Sequence, residues 1–119
     1  MSRVKRSVHA RKKRRATFER TKGFRGQAKS SYKRAKEALL KADTYAYRDR
    51  RNKKRDFRRL WIVRINAAAR QEGMSYSQFM HGLKLAEIEV DRKVLADIAV
   101  RDPETFRRFA EKAREAAAA

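Results

Sequence analysis

The sequence predicts an all-α protein with an extended basic N-terminal arm, a long helix and a small C-terminal helical bundle. Three observations support this prediction. Residues 27–70 contain no Gly or Pro and are rich in residues that form helices well. Signals for helix starts and stops follow in the last third, and no segment shows strand-like alternation. The charge is uneven, since residues 1–60 hold 24 Lys and Arg against 5 Asp and Glu, whereas residues 61–119 hold 10 against 9.

Residues 1–25 are predicted to be a basic extension that is disordered when free. This segment has few large apolar side chains and no sustained helical stripe, and the five consecutive cations at positions 11–15 repel one another. Gly23 and Gly26 flank Phe24-Arg25, which indicates a turn or a close approach of the backbone to another group.

Residues 26–56 are predicted to be a long basic helix. The helical composition runs from Gln27 to Arg70, as one long helix or as two nearly continuous ones, and Thr44-Tyr45 is the expected position of a kink. Most of this surface is charged, so its first half has no apolar partner within the chain.

Residues 57–119 are predicted to be a small globular helical domain that shares the end of the long helix. One helix face carries an apolar stripe at spacings of four, four and three, and two further apolar residues are adjacent to it. The stripe consists of Phe57, Trp61, Ile65 and Ala68, and its neighbours are Leu60 and Ile62. Gly73 then indicates the end of this helix.

Three shorter helices are predicted after Gly73. Ser75 and Gln78 have the spacing of a capping box, Asp91 can cap the next helix, and Asp102-Pro103 is a strong start signal for the last. The predicted inner faces hold Phe79, Met80 and Leu83; then Val94, Leu95 and Ile98; then Phe106, Phe109, Ala110 and Ala113.

No residue pattern indicates an enzyme, a metal site or a cofactor. The chain has no cysteine, so disulfides and thiolate chemistry are excluded. His9 and His81 are its only histidines and form no recognisable metal site, although His9 is a candidate polar contact to a partner. The segment Lys22–Gly26 lacks the strand–helix context of a nucleotide-binding loop. A small-molecule substrate is therefore not expected.

A net charge of +20 predicts a polyanionic partner. A membrane is disfavoured because an interfacial helix needs a broad apolar face, which residues 27–56 lack. The longest uncharged stretch, Gly73 to Leu83, is too short to span a bilayer, which needs about 20 apolar residues. Nucleic acid remains, and a basic nucleoid DNA-binding protein is possible on charge alone. The chain, however, shows no helix-turn-helix signature and no dimerisation heptads.

Aromatic residues lie among the cations of residues 1–60, which are named here the basic half. Such side chains stack on unpaired bases in RNA-binding proteins, or else pack on neighbouring helix turns, and the sequence leaves both interpretations open. They are Phe18, Phe24, Tyr32, Tyr45 and Tyr47. Trp61 differs, because its place on the apolar stripe indicates a core residue.

Four segments of the sequence form a specific set. They are Arg3-Val4-Lys5-Arg6, Lys22-Gly23-Phe24-Arg25-Gly26, the continuous stretch from Tyr45 to Arg70, and Asp91-Arg92-Lys93-Val94-Leu95-Ala96-Asp97. Together these segments resemble the bacterial large-subunit ribosomal protein L-twenty family. The resemblance covers essentially the whole chain. Ser7 stands where this family commonly has a glycine, and residues 12–21 and 104–119 fit more loosely.

The resemblance implies a structural constituent of the large ribosomal subunit in the cytoplasm, with the basic extension and long helix buried in large-subunit ribosomal RNA. It also implies an early role in subunit assembly and no part in peptide bond formation. The implied partners are neighbouring ribosomal proteins of the L-thirteen and L-twenty-one families. In some bacteria this family represses translation of its own messenger RNA, so that RNA is a further implied partner.

Charge and resemblance together predict an arm that places cations between RNA helices and lowers the repulsion among their phosphates. The residues predicted to contact RNA are Arg3, Lys5, Arg6, His9, Arg11, Lys12, Lys13, Arg14, Arg15, Lys22, Gly23, Phe24, Arg25, Gly26, Lys29, Tyr32, Arg34, Arg48, Arg50, Arg51, Lys53, Lys54, Arg55, Arg58 and Arg59.

Overall fold

The computed structural model describes residue 3 and residues 5–119, so Val4 of the N-terminal motif lies outside the described residues. The elements are α1 (Ser7–Arg20), a 3-10 turn (Gly26–Lys29), α2 (Tyr32–Gln71), α3 (Tyr76–Leu85), α4 (Arg92–Arg101) and α5 (Pro103–Ala118). There is no strand among these described residues, which confirms the all-α prediction.

The fold separates into two compact units, Met1–Arg51 and Asn52–Ala119. They are named here the N-terminal unit and the C-terminal unit. The division falls within α2, a few residues before the boundary that the sequence predicts at residue 57. The predicted boundary stays a prediction about which fragment folds independently.

Helix α1 occupies the segment for which no regular structure was expected from the sequence. Its composition explains the helix, since Ala, Arg, Lys and Glu all have good helix propensity. Yet α1 has no side-chain cap and no buried residue, and its apolar side chains form no stripe. Besides propensity, its stabilisation depends on a few side-chain contacts, such as those of Phe18 with Tyr32 and of Arg20 with Asp43. Disorder of this segment in the free protein stays a prediction.

The core of the N-terminal unit is small. Of the described residues of this unit, Thr21, Ala35 and Leu39 are buried, and the Thr21 hydroxyl donates a hydrogen bond to the Phe18 carbonyl oxygen at 3.3 Å. The Phe18 and Tyr32 rings meet edge to face, with 6.3 Å between centroids. Three buried side chains, of which only Leu39 is a large apolar one, and one aromatic pair remove little apolar surface from water, so this unit has little hydrophobic stabilisation of its own.

Helix α2 begins later than the composition predicts. Residues 27–29 belong to the 3-10 turn, and Ser30 and Ser31 separate that turn from Tyr32. Serine competes with helical hydrogen bonding through its own hydroxyl, which accounts for a break at this pair. Helix α2 is uninterrupted at Thr44-Tyr45, where the sequence predicts a kink. The Thr44 hydroxyl donates to the Leu40 carbonyl oxygen at 2.9 Å, so it is satisfied inside the helix.

The predicted caps of the C-terminal unit are confirmed. The Ser75 hydroxyl accepts from the Gln78 backbone N–H at 3.2 Å, and the Gln78 amide oxygen accepts from the Ser75 N–H at 3.0 Å. The Asp91 carboxylate accepts from the Val94 N–H at 2.8 Å, which caps α4. The Asp102 carboxylate caps α5, where Pro103 is the first helical residue.

The core of the C-terminal unit confirms most of the predicted inner faces. Phe79 and Phe106 are fully buried and stacked, with 4.8 Å between ring centroids. The remaining buried members of this core are Ile65, Ala69, Met74, Leu83, Leu95, Ala96, Ala110 and Ala113. Met80, Ile98, Phe109 and Trp61 are partly buried and pack against it.

Three predicted apolar positions are wrong as core residues. Phe57, Leu60 and Val94 are exposed, at 44%, 40% and 46% of their surface. On α2, the face that packs on the core begins at Trp61, so Phe57 lies one turn before it and Leu60 lies beside it. On α4, Leu95 and Ala96 point inwards, which leaves Val94 outside.

No helix among the described residues is long and apolar enough to cross a membrane.

Helices α2 and α3 end in the same backbone arrangement. After α2, the Met74 N–H donates to the Ala69 carbonyl oxygen at 2.9 Å around Gly73, whose φ is +78°. After α3, the Ile88 N–H donates to the Leu83 carbonyl oxygen at 3.0 Å. The residue corresponding to Gly73 is here Glu87, at φ +56°. Both are Schellman motifs, but only the first uses the glycine that this conformation favours.

Candidate nucleic-acid interface

Every lysine and arginine among the predicted contacts is exposed. His9, Gly23 and Gly26 are exposed as well, whereas Phe24 and Tyr32 are half-buried. The cations on α1 occupy consecutive positions 11–15 and therefore surround the helix rather than forming one stripe. Such an arrangement suits a partner that encloses the helix better than one flat surface.

Few of these cations are neutralised within the protein. Across the described residues, only two of the predicted contacts lie within 4.0 Å of a carboxylate. Arg48 pairs with Asp49 at 3.0 Å, and Arg59 pairs with Asp56 at 3.9 Å. Both pairs are well exposed, and exposed ion pairs contribute little to folding stability. The charge of the basic half is therefore available to an external anion.

Arg20 is the cation of the N-terminal unit that is most clearly engaged. Its guanidinium donates to the Asp43 carboxylate at 2.5 Å, which joins the end of α1 to α2. The hydrogen bond and the charge of Asp43 raise the pKa of Arg20 above its ordinary value. This contact gives Arg20 a structural role, consistent with its absence from the predicted RNA contacts.

The tyrosines of α2 lie against cations of the same helix. The Arg51 guanidinium lies 3.5 Å from the centroid of the Tyr47 ring, and Arg48 lies 4.7 Å from that of Tyr45. Tyr45 and Tyr47 nevertheless expose 42% and 56% of their surface. The contacts restrict the arginine side chains by cation–π attraction and leave ring surface available for stacking.

The glycine-flanked turn of the sequence is present. Gly23 and Gly26 have φ values of +85° and +66°, in the left-handed region that favours glycine. The Phe24 N–H donates to the Thr21 carbonyl oxygen at 3.0 Å, which closes the turn after α1. Lys22 and Arg25 are exposed on this turn. The two glycines therefore shape a connection between helices that presents cations.

The C-terminal unit contains a cleft, and three of its lining residues are among the contacts predicted from the sequence. Its lining residues are Lys53, Lys54, Phe57, Arg58, Trp61 and Lys93. Lys53, Lys54 and Arg58 were predicted contacts, whereas Phe57 and Trp61 were assigned to the apolar stripe, and Lys93 belongs to the motif of residues 91–97 but not to the predicted contacts. Lys93 joins this set through the packing of the bundle, since it is distant along the chain. The described residues contain no cluster of His, Asp and Glu that could hold a metal ion.

Comparison with known proteins gives the family. The family model described as "Ribosomal protein L20" matches residues 3–109 of this chain. The chain belongs to the ribosomal protein L20 family. The match covers most of both units and ends within α5, so residues 110–119 lie beyond it. It confirms the resemblance found in the sequence.

Individual members of the L20 family match over nearly the full length. "Large ribosomal subunit protein bL20" of Roseiflexus sp. (strain RS-1) is 62% identical over 116 residues, covering 98% of this chain and 99% of the relative. The protein of that name from Acidithiobacillus ferrooxidans (strain ATCC 53993 / BNL-5-31) is 64% identical over 111 residues, covering 93% of each. The protein of that name from Rubrobacter xylanophilus is 58% identical over 116 residues, covering 98% of this chain and 87% of the relative. These names are those of ribosomal proteins, not enzymes.

Proposed function

We propose that this L20-family chain is a structural constituent of the large ribosomal subunit and binds large-subunit ribosomal RNA directly. The observation that supports this most is the basic half, where exposed cations far outnumber the carboxylates near them. A free surface of this charge is costly to a compact unit, and a polyanion removes that cost.

The proposed action is assistance to early subunit assembly. Compact RNA brings phosphates from different helices together, and their repulsion opposes folding. Cations on α1, on the glycine-flanked turn and on α2 would lie between such helices and release condensed counterions. Arginine is well suited to this, because its guanidinium contacts phosphates with two parallel hydrogen bonds. The nearly neutral residues 61–119 would contribute shape selectivity.

Co-sedimentation tests the proposal. We expect the chain to remain with large subunits through moderate salt washing, and recovery only in the free or nucleoid fraction would contradict it. Structured large-subunit RNA should also compete for the chain better than DNA at equal salt. If DNA competed equally well, the nucleoid alternative would replace the ribosomal one.

The salt dependence of RNA binding tests the phosphate contacts. Replacing Arg50, Arg51, Lys53 and Lys54 by Ala is expected to reduce the magnitude of the slope of log K against log salt by roughly 2.8–3.6 units, because each of the four lost phosphate contacts removes roughly 0.7–0.9. The matched control replaces Lys84, Arg101, Arg108 and Lys112, which are exposed cations of the C-terminal unit. This control removes the same number of positive charges and should leave the slope of log K against log salt close to that of the native chain. Equal slopes for the two variants would remove the first four residues from the contact set.

Two finer roles also belong to this proposal. Proteins of the L-thirteen and L-twenty-one families are the proposed neighbours, which crosslinking in intact subunits tests. Binding to its own messenger RNA is proposed as a regulatory consequence of the same RNA-binding surface. Overproduction of the chain should then lower a reporter fused to its leader, and an unchanged reporter would contradict autorepression while leaving the ribosomal role untouched.

A further inference from the structure

The exposed ring of Phe57 is not explained by the fold. Phe57 belongs neither to the buried core of the C-terminal unit nor to the residues packed against it, and 44% of its surface is exposed. Its neighbour is Trp61, with 6.3 Å between centroids and 39° between ring planes. The two rings thus form an aromatic surface, of which the Trp61 end packs on the core.

This aromatic surface lies in a cleft of about 580 Å³, and all the charged residues that line it are cations. Its other lining residues are Lys53, Lys54, Arg58 and Lys93, and no carboxylate lines it. The Lys53 ammonium lies 5.9 Å from the centroid of the Phe57 ring. Apolar ring surface surrounded only by cations suits a ligand that has a flat face and is attached to anions.

Neighbouring clefts of the same unit have a different character. A second cleft, which shares Trp61 and Lys93 with the first, includes Asp91 and Asp97 among its lining residues. The one beside Met80 includes Glu87 and Glu89. In the second cleft, the two carboxylates offset most of the charge of Arg64, Lys93 and Arg101, and in the one beside Met80 they outnumber the single cation, Lys84. A smaller cleft beside Phe109 has no carboxylate either, but only Arg108 and Lys112 line it as cations. Of these clefts, the one of Phe57 and Trp61 therefore has the most positive lining, with four cations.

We infer that the cleft of Phe57 and Trp61 is a stacking site for an unpaired base of RNA, whose flanking phosphates contact Lys53, Lys54 and Lys93. An unpaired base has a π-face that stacks on aromatic side chains, and its strand supplies phosphates on both sides. A paired base offers no such face to the cleft. The inference rests on the proposed function and adds to it a preference for single-stranded RNA in the C-terminal unit.

Binding of the full chain to two defined RNAs tests this inference. One is a hairpin with an unpaired loop, and the other is a fully paired duplex with the same number of phosphates. Phe57→Leu keeps charge and apolar bulk but removes the aromatic face. It should weaken hairpin binding by at least about fivefold and leave duplex binding within about twofold of the native value. Leu60→Ala is the matched control, because Leu60 is similarly exposed on α2 but does not line the cleft. It should change neither.

Trp61 gives a direct signal, because it is the only tryptophan of the chain. Stacking of a base nearby should quench its fluorescence with the hairpin and protect it from acrylamide, a neutral quencher. The duplex should leave acrylamide access unchanged. Equal protection by the two RNAs would overturn the inference, as would protection that appears only in intact subunits, since a protein neighbour would then cover the cleft.

The outcomes separate this inference from the proposed function. If the full chain failed to bind structured large-subunit RNA at all, the proposed function would fail. If it bound that RNA with the expected salt dependence, while Phe57→Leu behaved as the native chain on the hairpin, only the stacking site would be wrong. Circular dichroism of Phe57→Leu is the folding control, and its helix content is expected to equal that of the native chain because Phe57 lies outside the core.

Discussion

Replacing Gly82 by Ala should destabilise the C-terminal unit strongly, although alanine normally favours a helix. Gly82 is buried within α3, where α3 packs on α5. A Cβ atom at this position would lie 2.7 Å from the Ala113 Cβ and 2.8 Å from the Ala113 carbonyl carbon, and it would also contact the Ala113 carbonyl oxygen closely. Two of those three atoms are backbone, so the neighbour cannot turn aside by changing a rotamer.

The magnitude follows from opposing contributions. Overpacking of this kind costs roughly 1–3 kcal/mol, and a clash with backbone belongs at the upper end. The higher helix propensity of alanine offsets this cost by up to about 1 kcal/mol. The expected net loss is about 2 kcal/mol. A domain of this size has a total stability of only roughly 3–10 kcal/mol, so the loss is a large fraction of it.

Urea unfolding of the full chain, followed by Trp61 fluorescence, measures this loss in the C-terminal unit. Gly73→Ala is the control, because nothing lies within 4 Å of a Cβ there and only the positive φ of +78° is unfavourable. It should cost about 1 kcal/mol. Adding Ala113→Gly to Gly82→Ala should restore part of the stability, since it removes the Cβ contact but not the backbone contacts. A Gly82→Ala variant as stable as the native chain would refute the close approach of α3 and α5.

Three further predictions concern caps and boundaries. Glu87→Gly should raise the free energy of unfolding by up to about 1 kcal/mol in urea, because φ +56° suits glycine better; a loss of stability would argue against that conformation. Hydrogen bonds from the Thr105 hydroxyl and backbone N–H lower the pKa of Asp102, so its contribution is present above the pKa of the unfolded state and lost as pH falls through the folded one. The difference in Tm between the native chain and Asp102→Ala should therefore shrink in acid, and a constant difference would contradict this. Fragments 52–119 and 57–119 should both show helical circular dichroism, and coil in the second alone would set the boundary at residue 52.

Local signals in the sequence were sufficient wherever a helix end depends on its own side chains. Ser75, Asp91 and Asp102 cap α3, α4 and α5 as expected, because capping involves residues only three positions apart. Gly73 likewise ends α2 as expected. Glu87 was not recognised as the end of α3, because its residue type gives no sign of a left-handed conformation.

Burial was harder to predict, because periodicity gives a helix face but not the place where its partner stops. Phe57 continues the spacing of Trp61 and Ile65, yet the core does not reach it. Lys93 illustrates the same limit for the candidate interface. Only the packed bundle brings it to a cleft with residues of α2. Exposure of the basic half, in contrast, was predictable, since side chains of this charge are almost never fully buried without partners.

The small core of the N-terminal unit has a consequence for the supply of this protein in the cell. With only Thr21, Ala35 and Leu39 buried among its described residues, that unit depends on what binds it. A ligand present at a hundred times its Kd adds about 2.7 kcal/mol to folding stability. Copies made in excess of their RNA lack this contribution and open more often to proteases. The lifetime of each copy is thus expected to follow the availability of its binding site, which would match the amount of protein to the amount of RNA without a dedicated sensor.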